Sequence, residues 1–103
     1  MPPWKFLTNH ALVLRLVAQH PRITGREISQ TIGITEKATR NIIADLEADG
    51  YVTKKREGRR LRYSIDPDLP LRSETHQDMA IGDLLELLGW KRRRRPAARK
   101  VPV

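Results

Sequence analysis

The stretch "TGREISQTIGITEKATRNIIADLEADG", residues 24–50, holds two helix starts and two helix ends in quick succession. Thr24 and Glu27 have the spacing of a capping box, in which each side chain satisfies the other residue's backbone N–H. Ile28 and Ile32 stand at i and i+4 and so face one way on a helix. Gly33 suits the left-handed residue that ends it. Only Ile34 separates that end from Thr35, which can cap a second helix over Thr35–Asp49, closed by Gly50. Two short helices joined by a tight glycine turn make a helix-turn-helix.

The second helix sorts its side chains by chemistry. At about 100° per residue, Ala38, Thr39, Ile42, Ile43 and Leu46 share a face that should be buried. Lys37, Arg40, Asn41 and Ala44 lie opposite. Arginine can donate two hydrogen bonds to guanine, and asparagine can both donate to and accept from adenine. Ala44 is small enough to permit close approach. Asp45, Glu47 and Asp49 would repel phosphate, so the N-terminal half is the half expected in a major groove. The candidate DNA-binding set on this helix is Thr35, Glu36, Lys37, Arg40, Asn41 and Ala44, with Lys37, Arg40 and Asn41 reading bases and Glu36 accepting from cytosine or orienting Arg40.

Upstream, "TNHALVLRLVAQH" (8–20) reads as a helix capped by Thr8 and stopped by Pro21. Leu12, Val13, Leu14, Leu16 and Val17 make it apolar almost all round, which places it centrally. Arg22-Ile23 reads as a short strand. Downstream, Tyr51, Val52 and Thr53 favour a strand, and Leu61, Tyr63 and Ile65 alternate with Arg62 and Ser64. A turn around Glu57-Gly58-Arg59 makes these two runs a hairpin. Val52, Leu61, Tyr63 and Ile65 should hold it down, leaving its other face and tip to present Lys54, Lys55, Arg56, Arg59, Arg60 and Arg62. Crowding these charges costs self-repulsion that phosphate would relieve. An exposed edge can also carry basic residues to prevent aggregation, but two or three would suffice.

"DPDLPLR" (66–72) is an extended connector. Ser73 or Thr75 can cap a last helix running to about Leu88, with Ile81, Leu84, Leu85 and Leu88 as its core stripe. Leu87 and Trp90 fall off that stripe. A second apolar face on a terminal helix suggests a second copy, with Leu84, Leu87, Leu88 and Trp90 as the dimer interface and Trp4, Phe6 and Leu7 beside them. The alternative is that all of them fold back onto one chain's core. Residues 90–103 read as a disordered basic tail, with Arg92, Arg93, Arg94 and Arg95 as non-specific DNA contacts. Such a run also suits RNA or an anionic membrane surface.

Charge agrees with this division. Of the net +8, residues 91–103 carry +7 and residues 1–90 only +1. Within that near-neutral body, residues 51–65 carry +5 and residues 66–90 carry −5. Two separate basic elements point to a polyanion partner. There is no cysteine, so no disulfide framework or thiolate metal site, and His10, His20 and His76 are scattered. No run approaches 18 apolar residues, and "MPPWKFLTNH" lacks the pattern of a signal peptide. The expected location is cytoplasmic, associated with the nucleoid. No phosphate loop, dinucleotide-binding turn or HExxH motif is present, so an enzyme is not expected.

Helix, short strand, helix-turn-helix, basic two-stranded wing and closing helix is the winged-helix order. The fold class is α+β, mainly α, with a three-helix core, a two-stranded β-wing and a C-terminal helix over residues 5–89. The segments "FLTNHALVL", "GITEKATRNIIADLEADGYVTKKREGRRLRY" and "DPDLPLR" followed by "GDLLELL" resemble small bacterial winged helix-turn-helix regulators of the MarR-like or ArsR-like kind. The resemblance implies sequence-specific binding of double-stranded DNA as a homodimer. No cofactor and no membrane partner are expected from the motifs and apolar runs of the chain. The terminal extensions that build a dimer stalk and effector pocket in MarR proteins are short here, so no small-molecule effector is expected. A winged-helix adaptor for protein partners, tethered to nucleic acid by its basic tail, is the competing reading. The outer face of the recognition helix discriminates between them, because an adaptor does not need Lys37, Arg40 and Asn41 there.

Overall fold

The computed structural model describes residues 5–71 and 79–91. Its elements run α1 (Asn9–Gln19), α2 (Gly25–Ile32), α3 (Glu36–Ala48), β1 (Val52–Glu57), β2 (Arg60–Ile65) and α4 (Ile81–Leu87). Each of the first three helices starts on a threonine. Thr8 Oγ1 accepts from the Ala11 N–H at 3.1 Å, and Thr35 Oγ1 from the Ala38 N–H at 3.0 Å. At Thr24 the full capping box forms: Oγ1 accepts from the Glu27 N–H at 3.1 Å, and Glu27 Oε1 accepts from the Thr24 N–H at 2.9 Å. These bonds satisfy amide groups that a helix start otherwise leaves without partners. Gly33 takes φ +87°, a left-handed conformation that a side chain would strain. There the N–H groups of Gly33 and Ile34 both donate to the Ser29 carbonyl, turning the chain directly into α3.

The core joins all the helices and the hairpin. Val13, Leu14, Leu16 and Val17 of α1 pack with Ile28 of α2 and with Ile42, Ile43 and Leu46 of α3. Tyr51, Val52 and Tyr63 anchor the hairpin to them, and Ile81 and Leu85 bring in α4. Val13, Ile28 and Leu85 are fully buried, and burying an aliphatic side chain of this size contributes roughly 1.5–3 kcal/mol. Thr39 is buried too, but its hydroxyl donates to the Thr35 carbonyl at 3.0 Å, so no polar group is orphaned. The hairpin is antiparallel, with Val52 opposite Ile65, Lys54 opposite Tyr63 and Glu57 opposite Arg60. Among the described residues, no helix is long and apolar enough to cross a membrane.

Three local expectations are corrected. Arg22-Ile23 is not a strand. The Ile23 N–H turns back to the His20 carbonyl, and the segment meets β2 through one bond, from the Tyr63 N–H to the Pro21 carbonyl at 2.7 Å. The last helix does not run through residues 79 and 80. Pro70 and Ala80 form an antiparallel bridge, flanked by bonds from Leu71 N–H to Met79 O and from Ile81 N–H to Leu69 O. That bridge holds the backbone extended, so the helix begins at Ile81; the expected caps Ser73 and Thr75 lie outside the described residues. Trp90 does not extend a helical face. The helix ends at Leu87, Gly89 takes φ +105°, and Trp90 turns inward to pack against the core.

Candidate nucleic-acid interface

The expected faces of α3 are the observed ones. Thr39, Ile42, Ile43 and Leu46 are buried, and Ala38 is half-buried. Thr35, Glu36, Lys37, Arg40, Asn41 and Ala44 are all exposed. Lys37, Arg40 and Asn41 make no side-chain hydrogen bond or ion pair among the described residues, so their donors are open to a ligand. Thr35 uses its hydroxyl oxygen as an acceptor in the cap, which leaves its O–H proton free to donate. No ion pair joins Glu36 to Arg40 among the described residues.

Two of the acids toward the far end of α3 have partners on other elements. Asp45 Oδ2 lies 2.8 Å from His10 Nε2 on α1. Glu47 Oε1 lies 3.6 Å from Lys54 Nζ on β1. Asp45 and Glu47 thus each have a side-chain partner within the chain, while the cations of the first turns face solvent. That polarity suits entry of the N-terminal half into a groove lined with phosphate.

The hairpin register revises the picture of the wing. Side chains alternate between faces along a strand, and paired residues share a face. Lys54 and Arg56 therefore share the face of Val52, Leu61, Tyr63 and Ile65, and only Lys55, Arg60 and Arg62 join Glu57 on the other. The six basic residues are divided between both faces and the turn, rather than gathered on one. Lys54 and Arg56 are nevertheless exposed, Lys54 although it stands opposite the buried Tyr63. Arg62 is half-buried and lies 3.7 Å from Glu57. Arg22, which the linear sequence did not single out, also reaches Glu57, with its Nη2 at 3.0 Å from Oε1. Nothing local signals that contact, because the two residues are 35 positions apart.

Of the proposed dimer residues, Leu84 and Trp90 are half-buried against the chain's own core, and Leu88 is half-buried. The Leu88 carbonyl accepts from Arg15 Nε at 3.2 Å, tying the end of α4 to α1. Leu87 is 81% exposed. Arg92, Arg93, Arg94 and Arg95 lie outside the described residues, as does Trp4. Among the described residues, no group of three metal-ligating side chains comes together.

Residues 5–62 match the protein-family model described as the MarR family. A MarR family protein of Mycobacterium tuberculosis, crystallised with salicylic acid, is similar at 26% identity and a TM-score of 0.49, covering 58% of this chain and 47% of that one. This chain thus spans about half the length of that protein. The predicted DNA-binding transcriptional regulator from E. coli is similar at 20% identity and a TM-score of 0.53, covering 76% of this chain and 70% of that one. IscR from T. potens shares the fold at 16% identity and a TM-score of 0.59, covering 97% of this chain and 95% of that one. No curated protein sequence matches the chain. The family match spans more than half of the residues and includes both helices of the helix-turn-helix and most of the wing; the chain belongs to the MarR family and has its winged-helix fold.

Proposed function

We propose that the chain is a sequence-specific regulator that inserts the N-terminal half of α3 into the major groove of double-stranded DNA. The observation that carries this reading is the exposed outer face of Lys37, Arg40 and Asn41, whose side chains have no partner among the described residues, set on a helix whose Asp45 and Glu47 lie against His10 and Lys54. Arg40 and Asn41 have the donor and acceptor patterns that match guanine and adenine edges. Lys37 joins them in reading bases, Thr35 and Glu36 stand beside them at the helix start, and Ala44 lets the helix approach closely. The wing then neutralises backbone phosphates beside the groove, and Arg92–Arg95 add contacts without sequence preference.

A second copy, docked through Leu87 with Leu84, Leu88 and Trp90 around it, would present two such helices to a palindromic site. The cytoplasm, in association with the nucleoid, is the location this function requires. The adaptor reading draws less support, because α4 buries Ile81 and Leu85 in its own chain and leaves a small apolar face outside.

The test is a titration of the full chain into labelled random duplex at several salt concentrations. Binding with a log–log salt slope of several units is the expected result, since each neutralised phosphate contributes about 0.9 to the slope. No binding at about 50 mM salt would sink the proposal.

A further inference from the structure

Glu57 is the sole acid in the hairpin, and it is held between arginines from two elements. Its Oε1 accepts from Nε and Nη2 of Arg22 at 3.2 and 3.0 Å. Its Oε2 lies 3.7 Å from Nη1 of Arg62. Arg60 Nη1 donates to the carbonyl of Arg22 at 3.3 Å, and the Tyr63 N–H donates to the neighbouring Pro21 carbonyl at 2.7 Å. The connector between α1 and α2 is thus laced to β2 by a backbone bond and a shared carboxylate. On the other face, Lys54 lies 3.6 Å from Glu47. Among the described residues, that leaves Lys55, Arg56 and Arg59 as the wing cations with no ion pair or hydrogen-bond partner.

Exposed ion pairs contribute little to stability one at a time. Their effect on a polyanion partner is larger. A guanidinium already facing a carboxylate gains less from phosphate, and the carboxylate itself repels phosphate. Non-specific affinity follows the number of phosphates neutralised, whereas base reading does not. Removing cations from the wing's phosphate-binding set therefore lowers background binding and widens the gap to a specific site.

On the strength of the DNA-binding reading, we infer that Glu57 is a positioning residue that sets how many phosphates the wing neutralises. It withholds Arg22 and Arg62 from DNA and leaves Lys55, Arg56, Arg59 and Arg60, whose charges no acid among the described residues meets, as the wing's phosphate contacts.

The experiment measures binding of the full chain and its variants to random duplex, and to a duplex enriched by selection, across a salt series. Glu57→Gln frees both guanidiniums. Its random-duplex affinity should rise roughly tenfold at about 50 mM salt, its slope should steepen by about one to two units, and its discrimination should fall. Glu57→Asp keeps the charge and should keep the wild-type slope. Arg59→Gln should flatten the slope by about one unit, and Arg62→Gln should leave it unchanged. A merely structural role for Glu57 gives the opposite sign, because a loosened wing binds more weakly and with a shallower slope. A folded Glu57→Gln variant with unchanged or weaker binding overturns the inference. So does an Arg62→Gln variant that loses as much slope as Arg59→Gln, a comparison that stands even if Glu57→Gln does not fold. A wild-type chain that binds no duplex overturns the DNA-binding reading together with this one. A wild-type chain that binds without these differences overturns this one alone.

Discussion

The Asp45 carboxylate on α3 sits 2.8 Å from the imidazole of His10 on α1. The contact links the solvent edge of α3 to α1. Both side chains are about half exposed or more, at 48% and 65%, so the pair should contribute less than about 1 kcal/mol. Asp45→Asn should therefore shift the thermal midpoint by only a few degrees and strengthen binding to any duplex. A drop in random-duplex affinity would show that Asp45 orients the helix rather than merely repelling DNA.

The last helix belongs to the core rather than hanging from it. Leu85 is fully buried, and the Trp90 N–H folds back to its carbonyl at 2.9 Å. Leu85→Ala should cost about 2–5 kcal/mol, the range for a truncated core leucine. Urea denaturation followed by circular dichroism measures it. A loss below about 1 kcal/mol would place α4 outside the cooperative unit.

The capping box at the start of α2 has an acid dependence. Hydrogen bonds from the backbone and side chain of Thr24 hold the Glu27 carboxyl below its ordinary value of 4.5. A depressed folded value means stability that is present above the ordinary value and lost as pH falls through the lower, folded one. Glu27→Gln should lower stability near neutrality and flatten the acid limb of the stability–pH curve below about 4.5. An unchanged acid limb would mean that other carboxylates govern it.

Leu87 is the test of the proposed dimer. It is 81% exposed on α4, while its neighbours Leu84 and Leu85 face inward. If it anchors a second copy, light scattering should give a dimer mass for the wild type and a monomer mass for Leu87→Glu, with the helical signal unchanged. A monomeric wild type at about 100 µM would remove the dimer from the account.

What the linear sequence revealed was local. The Thr24–Glu27 box, the Gly33 turn and the Thr35 cap each act within four residues, so their side-chain types suffice to locate them. The two faces of α3 were readable for the same reason, since the helical period alone decides them. What stayed hidden depends on long-range pairing. The Lys54–Tyr63 register decides which wing cations share the apolar face, and alternation in β2 alone did not show it. The Pro70–Ala80 bridge delays α4, and its partners meet only after the chain has folded. Arg22 entered the wing's chemistry through Glu57, far along the chain, with no motif to mark it.

Arg40 carries the central claim. The most direct measurement enriches bound duplexes from a random library with the full chain, then compares wild type and Arg40→Ala on the enriched and random sequences. Arg40→Ala should lose about 1–3 kcal/mol on the enriched site, with little change on random duplex and relaxed preference at one base pair. An equal loss on both sequences, or an Arg40→Ala variant that keeps full site preference, would contradict it.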